Sequence, residues 1–347
     1  MSLAQQTRPL LADHTTLRVG GPARSLVVAR TEAELIAVVG DLDAAGEPLL
    51  ILGGGSNLLV GDAGFDGTVV KIGVLGVHED VESCSGAVLR VAAGEPWDDL
   101  VAHSVEREYS GLEALSGIPG LVGASPIQNV GAYGAEVSQV ITTVRTYDRA
   151  ERAVKTLFPL DCQFGYRNSR FKAEPGRYVV LSVTFQLKLG SLSAAVRYPE
   201  LARVLGIAVG ARAPITAVRD AVLELRTAKG MVLDEADRDT WSAGSFFTNP
   251  IVDPEIAAAL PPGAPRFDQR DGRVKTSAAW LIEQAGFAKG YGPGPARLSD
   301  KHTLALTNRG SATADDLLEL ARAIRAGVHT TFGITLTAEP ALVGCAL

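Results

Sequence analysis

An apolar, strand-like run at residues 48–52 ends in Gly53, Gly54 and Gly55, followed by Ser56 and Asn57. Glycine lets the backbone turn at positive φ and lets a ligand approach the main chain closely. Successive N–H groups in such a turn form an anion nest, suited to a phosphate or diphosphate. The loop lacks the Lys-Ser/Thr ending of a P-loop and does not fit the Gly-x-Gly-x-x-Gly of a dinucleotide-binding βαβ unit. Taken alone, it reads equally well as a tight turn between two buried strands.

A second segment, residues 116–136, narrows the choice. Gly117, Gly120, Gly123, Gly131 and Gly134 clear side chains from a surface, and Pro119 and Pro126 stiffen it. Gln128 and Asn129 supply paired donors and acceptors. A flat heteroaromatic ring needs this combination: main-chain polar groups at its edges and small residues against its face. With the glycine triplet, it points to a nucleotide-type cofactor.

The elements that must position these loops follow from pattern. Residues 25–29 read as a strand, and Thr31-Glu-Ala-Glu34 is a capping box opening a helix up to about Ala45. Residues 49–52 form the next strand, so the triplet sits where α/β proteins tend to bind ligands. Strands are expected at 69–72, 87–92, 144–147 and 153–158, and a half-buried, alternating strand at 178–187. Pro96 begins a helix, 97–107. Further helices are expected at 215–226, from Asp253-Pro254, at 276–285 with Gly286 as its stop, and at 313–328. Residues 303–308 and 334–337 read as strands.

Composition bounds the rest. The chain has 347 residues, enough for two or three domains with real cores. A net charge of −6 gives no basic footprint for nucleic acid. No apolar run approaches the roughly 20 residues that span a bilayer, and the first residues carry no signal-peptide h-region. Cys84, Cys162 and Cys345 are odd in number and far apart, and the histidines lack metal-ligand spacing, so neither a disulfide framework nor a metal site is expected. A cytoplasmic monomer acting on small molecules, with no nucleic-acid or membrane partner, is the expectation.

Gly53-Gly-Gly-Ser-Asn57, Gly117-Ile-Pro-Gly120 and Gln128-Asn-x-Gly-Ala-Tyr-Gly134, in this order, closely resemble the UDP-N-acetylenolpyruvoylglucosamine reductases. Phe164-Gly-Tyr-Arg-Asn-Ser169, Gly244-Ser-Phe-Phe-x-Asn-Pro250 and Ala338-Glu-Pro340 agree, so the likeness runs from Thr15 to Glu339. It implies an α+β fold with a two-part FAD-binding region of the vanillyl-alcohol-oxidase/PCMH type and a separate α+β substrate-binding domain. The implied parts are residues 1–70 and 71–226 for FAD, with a C-terminal strand in 332–347 returning to them, and 227–331 for substrate. FAD contacts are implied for Gly53, Gly54, Gly55, Ser56 and Asn57. They are also implied for Gly117, Ile118, Pro119, Gly120, Gly123, Ala124, Ser125, Gln128, Asn129, Gly131, Ala132, Tyr133 and Gly134. No histidine stands in the triplet loop, so the FAD is expected to be non-covalent.

The family chemistry uses NADPH to reduce FAD. The flavin N5 then gives a hydride to the CH₂ carbon of UDP-N-acetylglucosamine enolpyruvate, and protonation of the α-carbon yields UDP-N-acetylmuramate. Negative charge grows on the substrate carboxylate and needs a fixed cation. Arg167 matches that role, and a guanidinium can grip a carboxylate through two hydrogen bonds. Ser245 matches the proton donor; alignment on a strongly basic carbon can outweigh a weak intrinsic acidity. Glu339 matches a third catalytic position. A bare carboxylate there would repel the intermediate, so a protonated Glu339, or one bridged through Arg167, is expected. Tyr166, Asn249 and Gln284 match substrate contacts. Tyr198, in a loop of the family's longer type, and Lys229 match contacts to the substrate diphosphate. Departures are His14 and Asn168, where Asn and Asp are frequent, and a Pro-rich run, Tyr291-Gly-Pro-Gly-Pro295. A flavin oxidase and a non-catalytic flavin or nucleotide-sugar module are the alternatives, and neither needs Arg167, Ser245 and Glu339 together.

Overall fold

Thr31 caps the first helix, Glu32–Ala45: its side chain accepts from Glu34 N while the Glu34 carboxylate accepts from Thr31 N. A cap of this kind is worth about 1 kcal/mol. Gly46, at φ 68°, ends the helix in the left-handed conformation. In this computed structural model, residues 8–84 and 86–347 are described. They divide into two compact units. One, here the Arg167 unit, comprises residues 23–54 and 66–232. The other, the Ser245 unit, comprises the chain up to Pro22 together with residues 55–65 and 233–347.

Two sheets of three or more strands frame the Arg167 unit. The smaller has the order Ala23–Ala29, Phe65–Ile72, Leu49–Leu52, with the last two parallel. The strands on either side of the first helix are therefore not neighbours; Phe65–Ile72 lies between them. The larger sheet runs Ala153–Leu157, Ile141–Asp148, Tyr178–Leu189, Gly86–Ala92, Val77–Glu82, and all its pairings are antiparallel. Tyr178–Leu189 is its middle strand. The expected alternation holds only from Val183 onward, because residues 179–183 are buried on both faces. Val77–Glu82 is an exposed edge strand whose polar sequence gave no strand signal. A core including Leu35, Val70, Leu89, Trp97, Val144, Val183 and Phe185 joins both sheets to their helices.

The Ser245 unit is built on the helix Ala314–Phe332, capped by Thr313 and Asp316 and stopped by Gly333 at φ 69°. Leu317, Ala321, Ile324 and Val328 recur at helical spacing and form its buried stripe. They pack with Leu281, Ile282, Phe246, Phe247, Leu17 and Leu59. The strand expected at 334–337 is absent. Ile334 and Leu336 are buried in that core, and the pairing strand is Ala341–Val343, parallel to Leu58–Val60. No helix among the described residues is long and apolar enough to cross a membrane.

Candidate active site

In the Arg167 unit the two glycine segments meet. Gly53 and Gly54 follow the strand Leu49–Leu52, and a Cβ on Gly54 would lie 2.9 Å from the Gly120 Cα. Only bare backbone permits this approach. The 120–123 stretch is in turn fixed to the end of strand Gly86–Ala92: Trp97 N donates to Gly120 O, Val122 N to Glu95 O and Gly123 N to Ala93 O. Ile118 and Pro119 lie between Gly117 and Gly120, both at positive φ. Ala124 ends the short 3₁₀ turn Val122–Ala124. Ser125 is buried, with its hydroxyl donated to Val122 O.

Residues 131–136 form a small hairpin in which Gly131 pairs with Glu136 and Ala132 with Ala135. Its turn is Tyr133 and Gly134, at φ 50° and 84°, the left-handed pair that a tight hairpin requires. Glycine is ordinary there and tyrosine is not, so the Tyr133 ring is held at a backbone cost. It meets Tyr198 edge-on at 5.4 Å between centroids, and the Lys229 ammonium lies 5.8 Å from it. Burial pushes the Tyr133 phenol up to about 12, opposed by the charge of Arg226.

Arg167 reaches this hairpin from residues 165–168. Gly165 and Asn168 exchange main-chain hydrogen bonds, and Arg167 itself sits at φ 50°. Three side-chain bonds fasten the turn: Arg167 Nη2 to Gly131 O at 2.6 Å, Asn129 Nδ2 to Gly165 O at 3.0 Å and Ser169 Oγ to Ile127 O at 2.6 Å. A Cβ on Gly131 would come within 3.0 Å of Arg167 Nη1, so glycine there leaves room for the guanidinium. Tyr166 packs beside it, 5.7 Å from ring centroid to guanidinium carbon.

The polar pair read from sequence as edge donors and acceptors is engaged with the scaffold. Asn129 donates to Glu136 and Gly165 and accepts from Ser138 N. Gln128 Oε1 accepts from Lys172 Nζ at 2.7 Å.

Arg226 is the residue that sequence reasoning missed. Its Nη2 donates to Met231 O, whereas Nε is buried without a hydrogen-bond partner among the described residues. A Cβ on Gly117 would lie 3.5 Å from this Nε. Burial pulls the guanidinium down to about 10; Tyr133 and Asp98 oppose the shift and Arg167 adds to it. It stays charged at neutral pH. An orphaned donor and a fixed positive charge beside Gly117 fit a cofactor that carries hydrogen-bond acceptors and negative charge, as FAD does.

The Ser245 unit carries the remaining candidates. A Cβ on Gly55, at φ 63°, would come within 1.9 Å of the His14 carbonyl oxygen, and Thr16 N donates to Gly55 O. Ser56 and Asn57 follow, and Asn57 O accepts from Ala341 N. Ser245 and Glu339 are brought onto adjacent chains: Glu339 N donates to Phe246 O at 2.8 Å, Phe247 bridges Ala338, and Thr248 N donates to Thr337 O. The buried Phe246 and Phe247 rings, 5.1 Å apart, anchor the segment. Gly244 precedes Ser245 at φ 71°. Asn249 Oδ1 accepts from Ala278 N at the start of the helix Ala278–Gln284. Gln284 is exposed at its other end, roughly 10 Å along the axis at 1.5 Å per residue, so these two do not meet. No group of His, Cys, Asp or Glu among the described residues could hold a metal ion.

Residues 23–156 match the family described as FAD binding domain. Residues 235–343 match the family described as UDP-N-acetylenolpyruvoylglucosamine reductase, C-terminal domain. The chain is similar to the UDP-N-acetylenolpyruvoylglucosamine reductase of Cutibacterium acnes, 58% identical over 340 residues covering 97% of this chain and 90% of that one. That of Streptomyces coelicolor is 57% identical over 350 residues, with the same coverage of 97% and 90%. Among solved structures, the reductase of the same name from Thermus caldophilus matches with a TM-score of 0.66 and 28% identity, over 97% of this chain and 98% of that one.

Proposed function

This chain belongs to the UDP-N-acetylenolpyruvoylglucosamine reductase family of FAD oxidoreductases in peptidoglycan synthesis, and on that premise we propose how it works. It reduces UDP-N-acetylglucosamine enolpyruvate to UDP-N-acetylmuramate with NADPH. Bound FAD supplies the relay by which a hydride from NADPH reaches the enolpyruvyl CH₂ carbon from N5. Residues 1–70 and 71–226, with 332–347, serve the cofactor and 227–331 the substrate, a functional division that cuts across the two compact units.

The observation that carries this reading is the anchoring of Arg167 on Gly131 in a left-handed turn. A cation held at the edge of a glycine-lined surface is what a growing carboxylate charge requires, and its cost of orientation is met before the reaction begins. Arg167 binds the substrate carboxylate and stabilises the charge that hydride addition creates. Ser245 gives its hydroxyl proton to the α-carbon, completing the lactyl ether, and regains a proton through water. Glu339, main-chain-bonded to the residue after Ser245, acts at the same carboxylate. The glycine loops and Arg226 hold the cofactor non-covalently. Tyr166 and Asn249 contact the substrate, as does Gln284 from its separate position, and Lys229 and Tyr198 meet its diphosphate.

The test is an anaerobic titration in two stages. NADPH should bleach the flavin of the purified protein, and UDP-N-acetylglucosamine enolpyruvate should restore the colour with formation of UDP-N-acetylmuramate. Recolouring by oxygen alone, with no effect of the enolpyruvyl substrate, would favour the oxidase alternative. Acid precipitation should release the flavin into the supernatant; colour retained in the pellet would contradict non-covalent binding.

A further inference from the structure

The Tyr198 loop brings its own anion to Lys229. Tyr198 caps the short helix Pro199–Val204, and Glu200 lies in that helix's first turn. The Glu200 carboxylate accepts from Lys229 Nζ at 2.6 Å, and the two side chains are 33% and 30% exposed. Lys229 ends the helix Ile215–Ala228. Lys229 also lies over the Tyr133 ring, which stacks edge-on with Tyr198. Tyr198 and Glu200 are therefore fastened at two points, one aromatic and one ionic.

Leu201 and Ala202 of the same helix are buried in a core with Val196, Val218 and Val222, whereas the end that carries Tyr198 is open. Tyr198 is 41% exposed. A cavity of about 370 Å³, bordered by Tyr133, Gly134, Arg197 and Leu201, adjoins the loop.

A carboxylate and a phosphate oxygen are alternative partners for one ammonium. With Glu200 in place, an arriving anion meets both an occupied cation and a like charge. We infer that Glu200 is an internal competitor for Lys229, a specificity-determining residue that sets the charge a ligand must bring to engage that lysine. A diphosphate, with more than one negative charge over neighbouring oxygens, displaces it; an uncharged ligand does not. The inference rests on Lys229 being the diphosphate contact of the proposed reaction.

Calorimetric titration of the FAD-loaded protein with UDP, and with uridine as the uncharged control, tests it. Glu200→Gln keeps the side chain's size and removes the competing charge. It should tighten UDP binding roughly two- to fivefold, the range expected from removing a part-exposed ion pair, and leave uridine unchanged. In a Lys229→Met background the gain should vanish. In turnover, KM for the diphosphate substrate should fall while kcat holds, the signature of altered uniform binding. A fold defect would weaken binding, so the gain reports the competition itself. Unchanged UDP affinity in Glu200→Gln, an equal gain for uridine, or a gain that survives Lys229→Met would each overturn the inference. If the protein fails to turn over the enolpyruvyl substrate, the UDP titration still reads the competition. If turnover is normal and the titration does not move, only the competition is lost.

Discussion

In the Arg167 unit the turn that carries Arg167 is tied to residues 127–131 by three side-chain hydrogen bonds, from Arg167, Asn129 and Ser169. In the Ser245 unit the segment carrying Ser245 is tied to that carrying Glu339 by main-chain bonds at Phe246 and Thr248. The backbones differ in the same sense. Arg167, Asn129 and Tyr133 are all non-glycine residues at positive φ, whereas in the other segment the left-handed position next to Ser245 is Gly244. Side-chain anchoring makes the first region dependent on residue identity at every tie. The main-chain anchoring at Phe246 and Thr248 does not depend on the Ser245 side chain.

That contrast predicts different failures for variants of the two proposed catalytic residues. Ser245→Ala should slow recolouring of the reduced flavin by substrate by about 10²–10⁴-fold, the usual worth of a positioned proton donor. Its FAD content and melting temperature should match wild type. Arg167→Ala should slow the same step by about 10²–10³-fold, as for loss of a charge-stabilising donor. It should also weaken FAD binding, because the tie to Gly131 goes with it. Rapid-mixing absorbance on both variants, with flavin content and melting curves alongside, separates the two. Normal recolouring in Ser245→Ala would remove it from the mechanism. Wild-type FAD affinity in Arg167→Ala would erase the distinction between the regions.

The same contrast explains what could be read from the sequence. Local chemistry was legible: the capping box at Thr31, the strand Leu49–Leu52 and the stripe of Ala314–Phe332 all rest on neighbours within a few residues. Long-range pairing was not. Residues 334–337 alternate as a strand would, yet the ladder forms at Ala341–Val343, because its partner is Leu58–Val60, far upstream. Residue type misled at Asn129, whose amide looks available in a glycine-rich loop and is spent on Glu136, Gly165 and Ser138. It misled in the opposite direction at Arg226. An arginine on an amphipathic helix reads as a solvated charge, and only the packing around Gly117 leaves its Nε enclosed. The matching residue-level signal, a charged side chain close to Lys229 at the end of that helix, carries no weight without the fold.

A smaller effect should follow from the glycine loop, where the chain passes from one unit to the other. Gly55→Ala asks an alanine to adopt φ 63° and to place its Cβ 1.9 Å from the His14 carbonyl oxygen. The left-handed conformation alone costs about 1–3 kcal/mol, and the backbone contact cannot be relieved by a rotamer change. Gly54→Ala meets the Gly120 Cα at 2.9 Å without the conformational cost. The Gly55 variant should therefore lose more flavin and melt lower than the Gly54 variant, measured by the absorbance ratio of flavin to protein and by calorimetry. The reverse order would show that contact between the glycine segments matters more than the turn.

The smallest expected effect lies at Asp98, which accepts from Gly117 N at 2.6 Å and takes both Arg219 nitrogens at 2.8 Å. Burial raises its pKa, but the Arg219 hydrogen bonds, the Gly117 N–H and the charges of Arg219 and Arg226 outweigh burial and hold the carboxyl below the usual range. A carboxylate whose folded pKa is depressed stabilises the fold above its unfolded value, about 3.9, and that contribution is lost as pH falls through the folded value. Asp98→Asn removes the ionised form at all pH values. A part-exposed pair is worth up to about 1 kcal/mol, which corresponds to a fall in Tm of roughly 2–4 °C in a domain of this size range. The gap between wild type and variant should be full at pH 7 and should shrink as the pH drops below the ordinary carboxylate range. Flavin affinity should fall with it, since an amide oxygen is a weaker acceptor for Gly117 N than a carboxylate. A gap that stays constant down to the acid unfolding limit would mean that Asp98 acts through shape rather than charge, and the second glycine segment would then owe its position to packing.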